Sequence, residues 1–129
     1  MTRQAVSTSG APGAVGPYSQ AIVTDDLVFC SGQVGLDPAT GELVSGGVEA
    51  EAARVIRNLE AVLDAAGCTF ADVVKTTCFL ADINDFATFN EVYGRFMTDP
   101  PPARSTFQVA ALPMGARVEI EAIAIRNRT

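Results

Sequence analysis

The spacing of hydrophobic positions changes along the chain and separates helices from strands. Between residues 48 and 66, apolar side chains recur every three or four positions, which predicts an amphipathic helix that Gly67 ends. A second stretch, over residues 85–96, repeats this spacing with aromatic side chains, and Asp82 or Asn84 can cap its first turn. The pattern therefore predicts two helices.

Short runs of alternating or β-branched residues predict six strands. They span residues 4–7, 21–23, 27–32, 73–81, 104–109 and 117–126. The last run alternates most clearly, with Val118, Ile120, Ala122 and Ala124 on one face and Glu119, Glu121, Ile123 and Ile125 on the other. The sheet that contains this strand is therefore expected to carry apolar residues on both faces.

The order of these elements predicts an α+β fold in one domain, residues 1–129. Hairpins begin and end the chain and helices fall between strands, which favours a mixed sheet with both helices packed on one face. No helix remains to cover the second face, where Ile123 and Ile125 lie. We therefore predict that copies of the chain associate through that face.

The composition removes several classes of chemistry. The chain has no histidine, which excludes Ser–His–Asp and Cys–His catalysis and histidine metal sites. Its three cysteines are widely spaced, and we interpret them as thiols of the core. Acid–base chemistry must then come from carboxylates, Tyr18, Tyr93, Lys75, a thiol or water.

Charge and hydropathy narrow the choice of partners. The net charge is −6 and no cluster of lysine and arginine is present, which argues against a nucleic-acid partner. The first residues are polar, and no apolar run approaches the roughly 20 residues that a membrane span needs. We expect a cytoplasmic protein without a membrane partner.

Arg104 is the first long side chain of an apolar strand that follows three prolines. A guanidinium cannot lose its charge, so its burial requires an acceptor. If the last two strands form a hairpin, Glu119 or Glu121 could pair with it in a structural ion pair. The alternative is that Arg104 binds the carboxylate of a ligand through its two-pronged donor geometry.

Other candidate residues have a structural and a functional interpretation. Glu119 and Glu121 share a strand face with apolar neighbours, which indicates either a solvated edge or carboxyl groups with perturbed pKa values. Tyr18 lies in a Gly/Pro loop, and Gly32 ends a strand where its backbone can approach a ligand. Asn90 is assigned to the polar side of the second helix.

Six blocks of the sequence resemble the RidA (YjgF/YER057c/UK114) family in order and spacing. They are residues 16–20 (GPYSQ), 29–33 (FCSGQ), 37–42 (DPATGE), 80–86 (LADINDF), 102–105 (PARS) and 118–124 (VEIEAIA). The resemblance covers nearly the whole chain. It implies a chorismate-mutase-like (bacillus type) fold and a homotrimer whose sheets form a central barrel, with three clefts between subunits.

The resemblance also implies an activity and a site. The activity is hydrolysis of 2-aminoacrylate-type enamines and imines to 2-keto acids and ammonia, with no metal or organic cofactor. Arg104 matches the residue that binds the substrate carboxylate, and Glu119 matches the one that positions the attacking water. The matching cleft residues are Tyr18, Ser31, Gly32, Asn90 and Thr106. The position of Thr106 is often cysteine in the family, so either its backbone N–H or its side chain serves the substrate.

Three alternatives stay open at this point. The protein could bind a small carboxylate as a sensor without turning it over. It could be a ribonuclease or translation inhibitor, activities also ascribed to the family, although the absence of histidine and the negative charge argue against both. Finally, an Arg104–Glu119 pair could serve only to hold subunits together.

Overall fold

The computed structural model of the protein describes residues 2–126. The strands are β1 (Arg3–Val6), β2 (Ala21–Thr24), β3 (Leu27–Val34), β4 (Val73–Leu80), β5 (Ala103–Gln108) and β6 (Val118–Ile125). The helices are α1 (Gly47–Ala65) and α2 (Phe86–Phe96), and single 3-10 turns occupy Phe70–Asp72, Ile83–Asp85 and Pro113–Gly115. Each predicted strand and helix is confirmed to within two residues at either end. Asp82 caps the 3-10 turn before α2, accepting a hydrogen bond from the Asn84 N–H at 2.9 Å.

All six strands form one mixed sheet in the order β1-β2-β3-β6-β4-β5. Neighbouring strands are antiparallel except β4 and β5, which α2 connects as a parallel pair. The predicted hairpin between β5 and β6 is wrong, because β4 lies between these two strands. The crossover through α2 places β5 at the outer edge of the sheet, and β6 then enters the gap between β3 and β4.

Both helices cover one face of the sheet, which confirms the α+β arrangement. The core is formed by the buried face of α1, with Val55, Leu59 and Val62, against buried positions of the central strands, such as Val28 and Ile120. The three cysteines are free thiols and all are buried, as predicted. Burial raises the pKa of Cys30 to about 12 and that of Cys78 to about 11, so both stay protonated at neutral pH.

The second face of the sheet, which we call the open face, has no covering element among residues 2–126. Leu27, Phe29, Phe107 and Ile125 project from it with 38–46% of their surface exposed. Phe107 contacts Phe79 edge-to-face, with ring centroids 5.4 Å apart. The prediction of an uncovered apolar face is confirmed. Within residues 2–126, neither helix has the length and apolar character needed to cross a bilayer.

Candidate functional site

A cavity of about 450 Å³ lies beside the carboxylate of Glu119, and we call it the glutamate pocket. Strands β3 and β6, the loop before β2 and the turn before β6 build its walls. Its lining residues are Pro12, Gly13, Val15, Tyr18, Ser31, Gly32, Gln33, Val34, Leu36, Pro113, Met114, Glu119 and Glu121. Four residues predicted for the site, Tyr18, Ser31, Gly32 and Glu119, are therefore brought together here.

An irregularity in strand pairing opens the floor of the glutamate pocket. The register between β3 and β6 shifts between Cys30 and Gln33, so that Ser31 and Gly32 leave the regular ladder. Ser31 is held by two hydrogen bonds, from its hydroxyl to the Ser19 carbonyl at 2.6 Å and from its N–H to the Gln20 carbonyl at 3.0 Å. The displaced backbone thus faces the cavity in a fixed position.

Gly32 makes room for the carboxylate of Glu119. A Cβ atom added at position 32 would overlap the Glu119 side chain, with its Cδ atom only 2.8 Å away. Any larger residue would have to displace this carboxylate. The close approach of a side chain, and not a positive φ angle, requires glycine at this position.

The environment of Glu119 favours its protonated form. Partial burial, and secondarily the negative charge of Glu121 on the same strand face, raise the pKa of the Glu119 carboxyl above its ordinary value. A carboxylate with a raised pKa is a stronger base, and one in a half-buried pocket can accept a proton from a bound water. For Glu119, this shift favours the second of the two interpretations drawn from the sequence, a carboxyl group with a perturbed pKa.

Gln20 fixes the loop that carries Tyr18. Its side chain is buried, accepts from the Thr8 N–H at 2.7 Å, and donates to the carbonyls of Pro12 at 2.8 Å and Thr8 at 3.1 Å. Tyr18 itself is 48% exposed at the mouth of the pocket, and its hydroxyl accepts from the Val15 N–H at 3.4 Å. The loop is therefore ordered by a side chain that the sequence pattern did not single out.

Arg104 lies in a different cavity, the arginine cleft, of about 340 Å³. Its guanidinium carbon is 4.8 Å from the centre of the Tyr93 ring and 5.6 and 5.7 Å from those of Phe86 and Phe89. No carboxylate of residues 2–126 forms an ion pair with it. The lining residues are Tyr93, Gly94, Met97, Thr98, Pro101, Pro102 and Arg104.

Two polar atoms near Arg104 are buried without a hydrogen-bond partner among the described residues. They are Oδ1 of Asn90 and Oγ1 of Thr106. Thr106 follows Arg104 by two positions on the same face of β5, and Asn90 shares a face of α2 with the aromatic rings around the guanidinium. The assignment of Asn90 to the polar side of α2 is wrong, because its side-chain oxygen points inward.

The glutamate pocket and the arginine cleft open on opposite faces of the same sheet. In β4, Thr76 pairs with Arg104 on one side and with Ala122 on the other, and its hydroxyl bonds to the Tyr93 hydroxyl at 2.7 Å beneath the helices. Arg104 therefore lies on the helix-covered face, whereas Glu119 alternates to the open face. An ion pair between these two residues within one chain is excluded.

The family model described as Endoribonuclease L-PSP matches residues 8–126. The chain belongs to this family. A human relative, named 2-iminobutanoate/2-iminopropanoate deaminase, is 55% identical over 127 residues, which are 98% of this chain and 93% of the human protein. Protein DfrA of Myxococcus xanthus is 56% identical over 97% of each chain. These similarities confirm the resemblance drawn from the six blocks.

Two solved structures have the same fold as this chain. RidA from the Antarctic bacterium Psychrobacter sp. superposes with a TM-score of 0.92 at 48% identity, covering 95% of this chain and 98% of that one. Escherichia coli TdcF with bound serine superposes with a TM-score of 0.90 at 44% identity, covering 96% and 99%.

Two buried residues of α1 hold the walls of the glutamate pocket in this L-PSP family chain. Glu51 accepts from the Arg117 N–H at 2.8 Å and from its guanidinium at 2.7 Å, which fixes the start of β6. Asn58 donates to the carbonyls of Val34 at 3.1 Å and Leu36 at 2.9 Å, which fixes the end of β3. Neither residue was a candidate for the site from the sequence pattern.

The spacing of these two residues was a usable signal. Glu51 and Asn58 are seven positions apart, so they share one face of α1 with apolar residues that are buried. A polar residue on an apolar face is either a defect or a partner for backbone groups. Within the described part of this L-PSP family chain, no group of three Cys, Asp or Glu side chains is arranged to hold a metal ion.

Proposed function

We propose that the protein is an imine deaminase that hydrolyses small 2-imino and 2-enamino acids to 2-keto acids and ammonia. The observation that carries this proposal is the presence of two complementary half-sites on one chain. One offers a half-buried carboxylate with a raised pKa, and the other offers an arginine without a carboxylate partner among residues 2–126. The 55% identity to the human protein, whose name states this activity, supports the assignment.

We propose further that the active site forms between subunits of a homotrimer with a chorismate-mutase-like fold. The open faces would line a central barrel and bury Leu27, Phe29, Phe107 and Ile125. Each of the three clefts would then combine the glutamate pocket of one subunit with the arginine cleft of its neighbour. The unpartnered atoms of Asn90 and Thr106 support this arrangement, because a ligand or second chain at the cleft would satisfy them.

The proposed residues bind and orient the substrate, a 2-iminium carboxylate. Arg104 binds the carboxylate through parallel hydrogen bonds, and its aromatic surroundings keep water away from that charge pair. Asn90 and Thr106 supply further polar contacts beside it. Tyr18, Ser31 and the backbone at Gly32 hold the imine end over Glu119.

Hydrolysis then proceeds by addition and elimination. Glu119 takes a proton from water as the water oxygen bonds to the imine carbon, and the C=N electron pair moves to nitrogen. Glu119 returns that proton to the nitrogen. The hydroxyl oxygen of the tetrahedral intermediate then forms the carbonyl as the C–N bond breaks, and ammonia leaves with the released proton as ammonium. Holding the carboxylate and one water in place supplies most of the rate increase, because the imine carbon is already electrophilic.

The direct test is imine hydrolysis. An amino-acid oxidase with catalase generates 2-imino acids in situ, and semicarbazide traps the imine that remains. Wild-type protein is expected to lower the trapped imine, and Arg104→Ala and Glu119→Gln are expected not to. No acceleration by a correctly assembled wild-type protein would overturn the proposal.

A mixing experiment tests the shared site. Co-refolding Arg104→Ala with Glu119→Gln should restore activity, because about a quarter of the clefts in randomly mixed trimers combine an intact glutamate with an intact arginine. Each inactive variant refolded alone is the control. If the mixture stays inactive while mixed trimers form, the active site is not shared between subunits.

A second candidate function is binding of a small carboxylate without turnover. The structure of Escherichia coli TdcF with bound serine favours it, because a 44% identical relative holds an amino acid. Calorimetry with serine and 2-keto acids, run beside the hydrolysis assay, separates the two functions. Binding in the absence of any turnover would favour this candidate.

Nucleic acid remains a weak alternative despite the family's description. A net charge of −6 repels phosphate backbones, so we expect no salt-sensitive binding to RNA.

We also propose a cytoplasmic location, which the three free thiols support because oxidising compartments favour disulfides.

A further inference from the structure

Met114 adopts a backbone conformation that its residue type rarely accepts. Its φ and ψ angles are 60° and 21°, in the left-handed region that favours glycine and asparagine. It is also a large apolar residue with 59% of its surface exposed. A residue in this conformation persists only where its surroundings hold it there, and such residues are concentrated at ligand-binding sites.

The backbone around Met114 is fixed at both ends. The Ala116 N–H donates to the Pro113 carbonyl at 3.1 Å, which closes the turn. One residue further on, both the N–H and the guanidinium of Arg117 bond to the buried carboxylate of Glu51. The turn therefore presents the flexible Met114 side chain from a fixed base, at the mouth of the glutamate pocket.

Two apolar side chains lie at the mouth of the glutamate pocket, whereas its reactive part is polar. Val15 is 84% exposed and Met114 59%, and both line the same cavity as the carboxylate of Glu119. Neither side chain can assist proton transfer or bind a carboxylate. Their contribution to a ligand is limited to apolar contact, and the cavity of about 450 Å³ is far larger than 2-iminopropanoate requires.

We propose that Met114 and Val15 form a specificity surface for the substrate side chain and select imines derived from larger apolar amino acids. This inference rests on the proposed function. Contact with the thioether and the valine methyl groups would remove apolar surface of the substrate from water. Glu121 adds a negative charge to the same pocket, so imines with acidic side chains are disfavoured.

The test compares kcat/KM for the imines of leucine, alanine and glutamate in the wild type and in two Met114 variants. Asparagine tolerates the left-handed conformation, so Met114→Asn removes the apolar side chain and keeps the turn. Met114→Leu keeps an apolar side chain of similar size. We expect the leucine-to-alanine ratio to fall about threefold to tenfold in Met114→Asn and to stay near the wild-type value in Met114→Leu.

Further readouts separate specificity from structure. Thermal unfolding of Met114→Asn should occur at the wild-type temperature or above it, because the substitution relieves backbone strain. Val15→Ser should lower the same ratio, since Val15 is an exposed apolar residue that lines the same cavity as Met114.

The outcomes distinguish this inference from the proposed function. An unchanged ratio in Met114→Asn overturns the inference and leaves imine hydrolysis in place. Equal losses for all three imines also overturn it, because they would give Met114 a structural role. Absence of turnover in the wild type overturns the proposed function itself.

Discussion

The glutamate pocket and the arginine cleft differ in how completely one chain builds them. In the pocket, hydrogen bonds donated by Gln20, Ser31 and Asn58 and accepted by Glu51 hold the loop before β2, strand β3 and the start of β6. Glu119 rests against Gly32, where any side chain would collide with its carboxylate. In the cleft, Arg104 contacts aromatic rings, and two buried polar atoms nearby have no hydrogen-bond partner among residues 2–126. The fold of one chain thus preorganises the pocket more completely than the cleft.

Removing the charge of the arginine cleft should have the largest effect on catalytic activity. Arg104→Ala is expected to lower kcat/KM at least a hundredfold, because the substrate carboxylate loses its charged partner. This factor corresponds to a loss of transition-state stabilisation on the order of 3 kcal/mol or more. Arg104→Lys keeps the charge without the two-pronged geometry and should recover only part of that loss. Near-normal turnover by a correctly assembled Arg104→Ala protein would contradict the assignment.

Crowding the glutamate pocket should lower activity less than Arg104→Ala does, and it acts on the other half of the proposed site. Gly32→Ala places a methyl group against the Glu119 carboxylate, so we expect kcat to fall by about tenfold to a hundredfold as the base is displaced. The control is Gly13→Ala in the same pocket, where an added Cβ meets nothing within 4 Å and the loss should be much smaller. Similar losses in both variants would show that Glu119 does not depend on Gly32.

Breaking the support behind the glutamate pocket should appear mainly as lost stability. Glu51→Gln is expected to lower the free energy of unfolding by about 2 kcal/mol, because the N–H and guanidinium of Arg117 lose their charged acceptor. Glu60→Gln breaks an exposed pair with Arg57 and should change stability by less than about 1 kcal/mol. Urea titration of both variants measures the difference. Equal effects would mean that the Glu51 pair contributes no more than a surface contact.

The smallest expected effect concerns pH. Glu121 raises the pKa of Glu119, so Glu121→Gln should move the acidic limb of the kcat/KM profile to lower pH.

The contribution of Glu119 to folding stability should change with pH in the opposite direction to that of a salt-bridged carboxylate. A raised pKa means that the folded state binds more protons, so this group's contribution to stability falls as pH rises from the unfolded towards the folded pKa. Glu119→Gln should therefore flatten the stability profile in that window, which denaturation at several pH values would reveal.

The sequence predicted local structure well because the relevant signals are local. Period-two alternation in β6 correctly separated Glu119 and Glu121 from the buried face, and helical spacing located α1 and α2. The proximity of β5 and β6 in sequence suggested a hairpin, but pairing depends on which edge the crossover through α2 reaches. That choice is made by packing between distant elements, which a single sequence does not encode in any local pattern.

The site residues show the same contrast between local signals, which the sequence carries, and long-range contacts, which it does not. Arg104 and four residues that line the glutamate pocket, Tyr18, Ser31, Gly32 and Glu119, were named from motifs and from the family resemblance. The supports were missed: Glu51 bonds to a residue 66 positions away, and its role depends on that partner. Asn90 was assigned to the polar side of α2 because its residue type is polar, although Phe86 and Tyr93, four positions before and three after it, share its face of the helix.

The position of Arg104 and Glu119 on opposite faces of one sheet has a consequence for regulation by mass action. If a single chain holds both halves and can never join them, specific activity must depend on protein concentration. Diluting the protein below the dissociation constant of its assembly would switch the activity off without unfolding any chain. The amount of protein a cell makes would then set the number of active sites and also the fraction of chains able to form one.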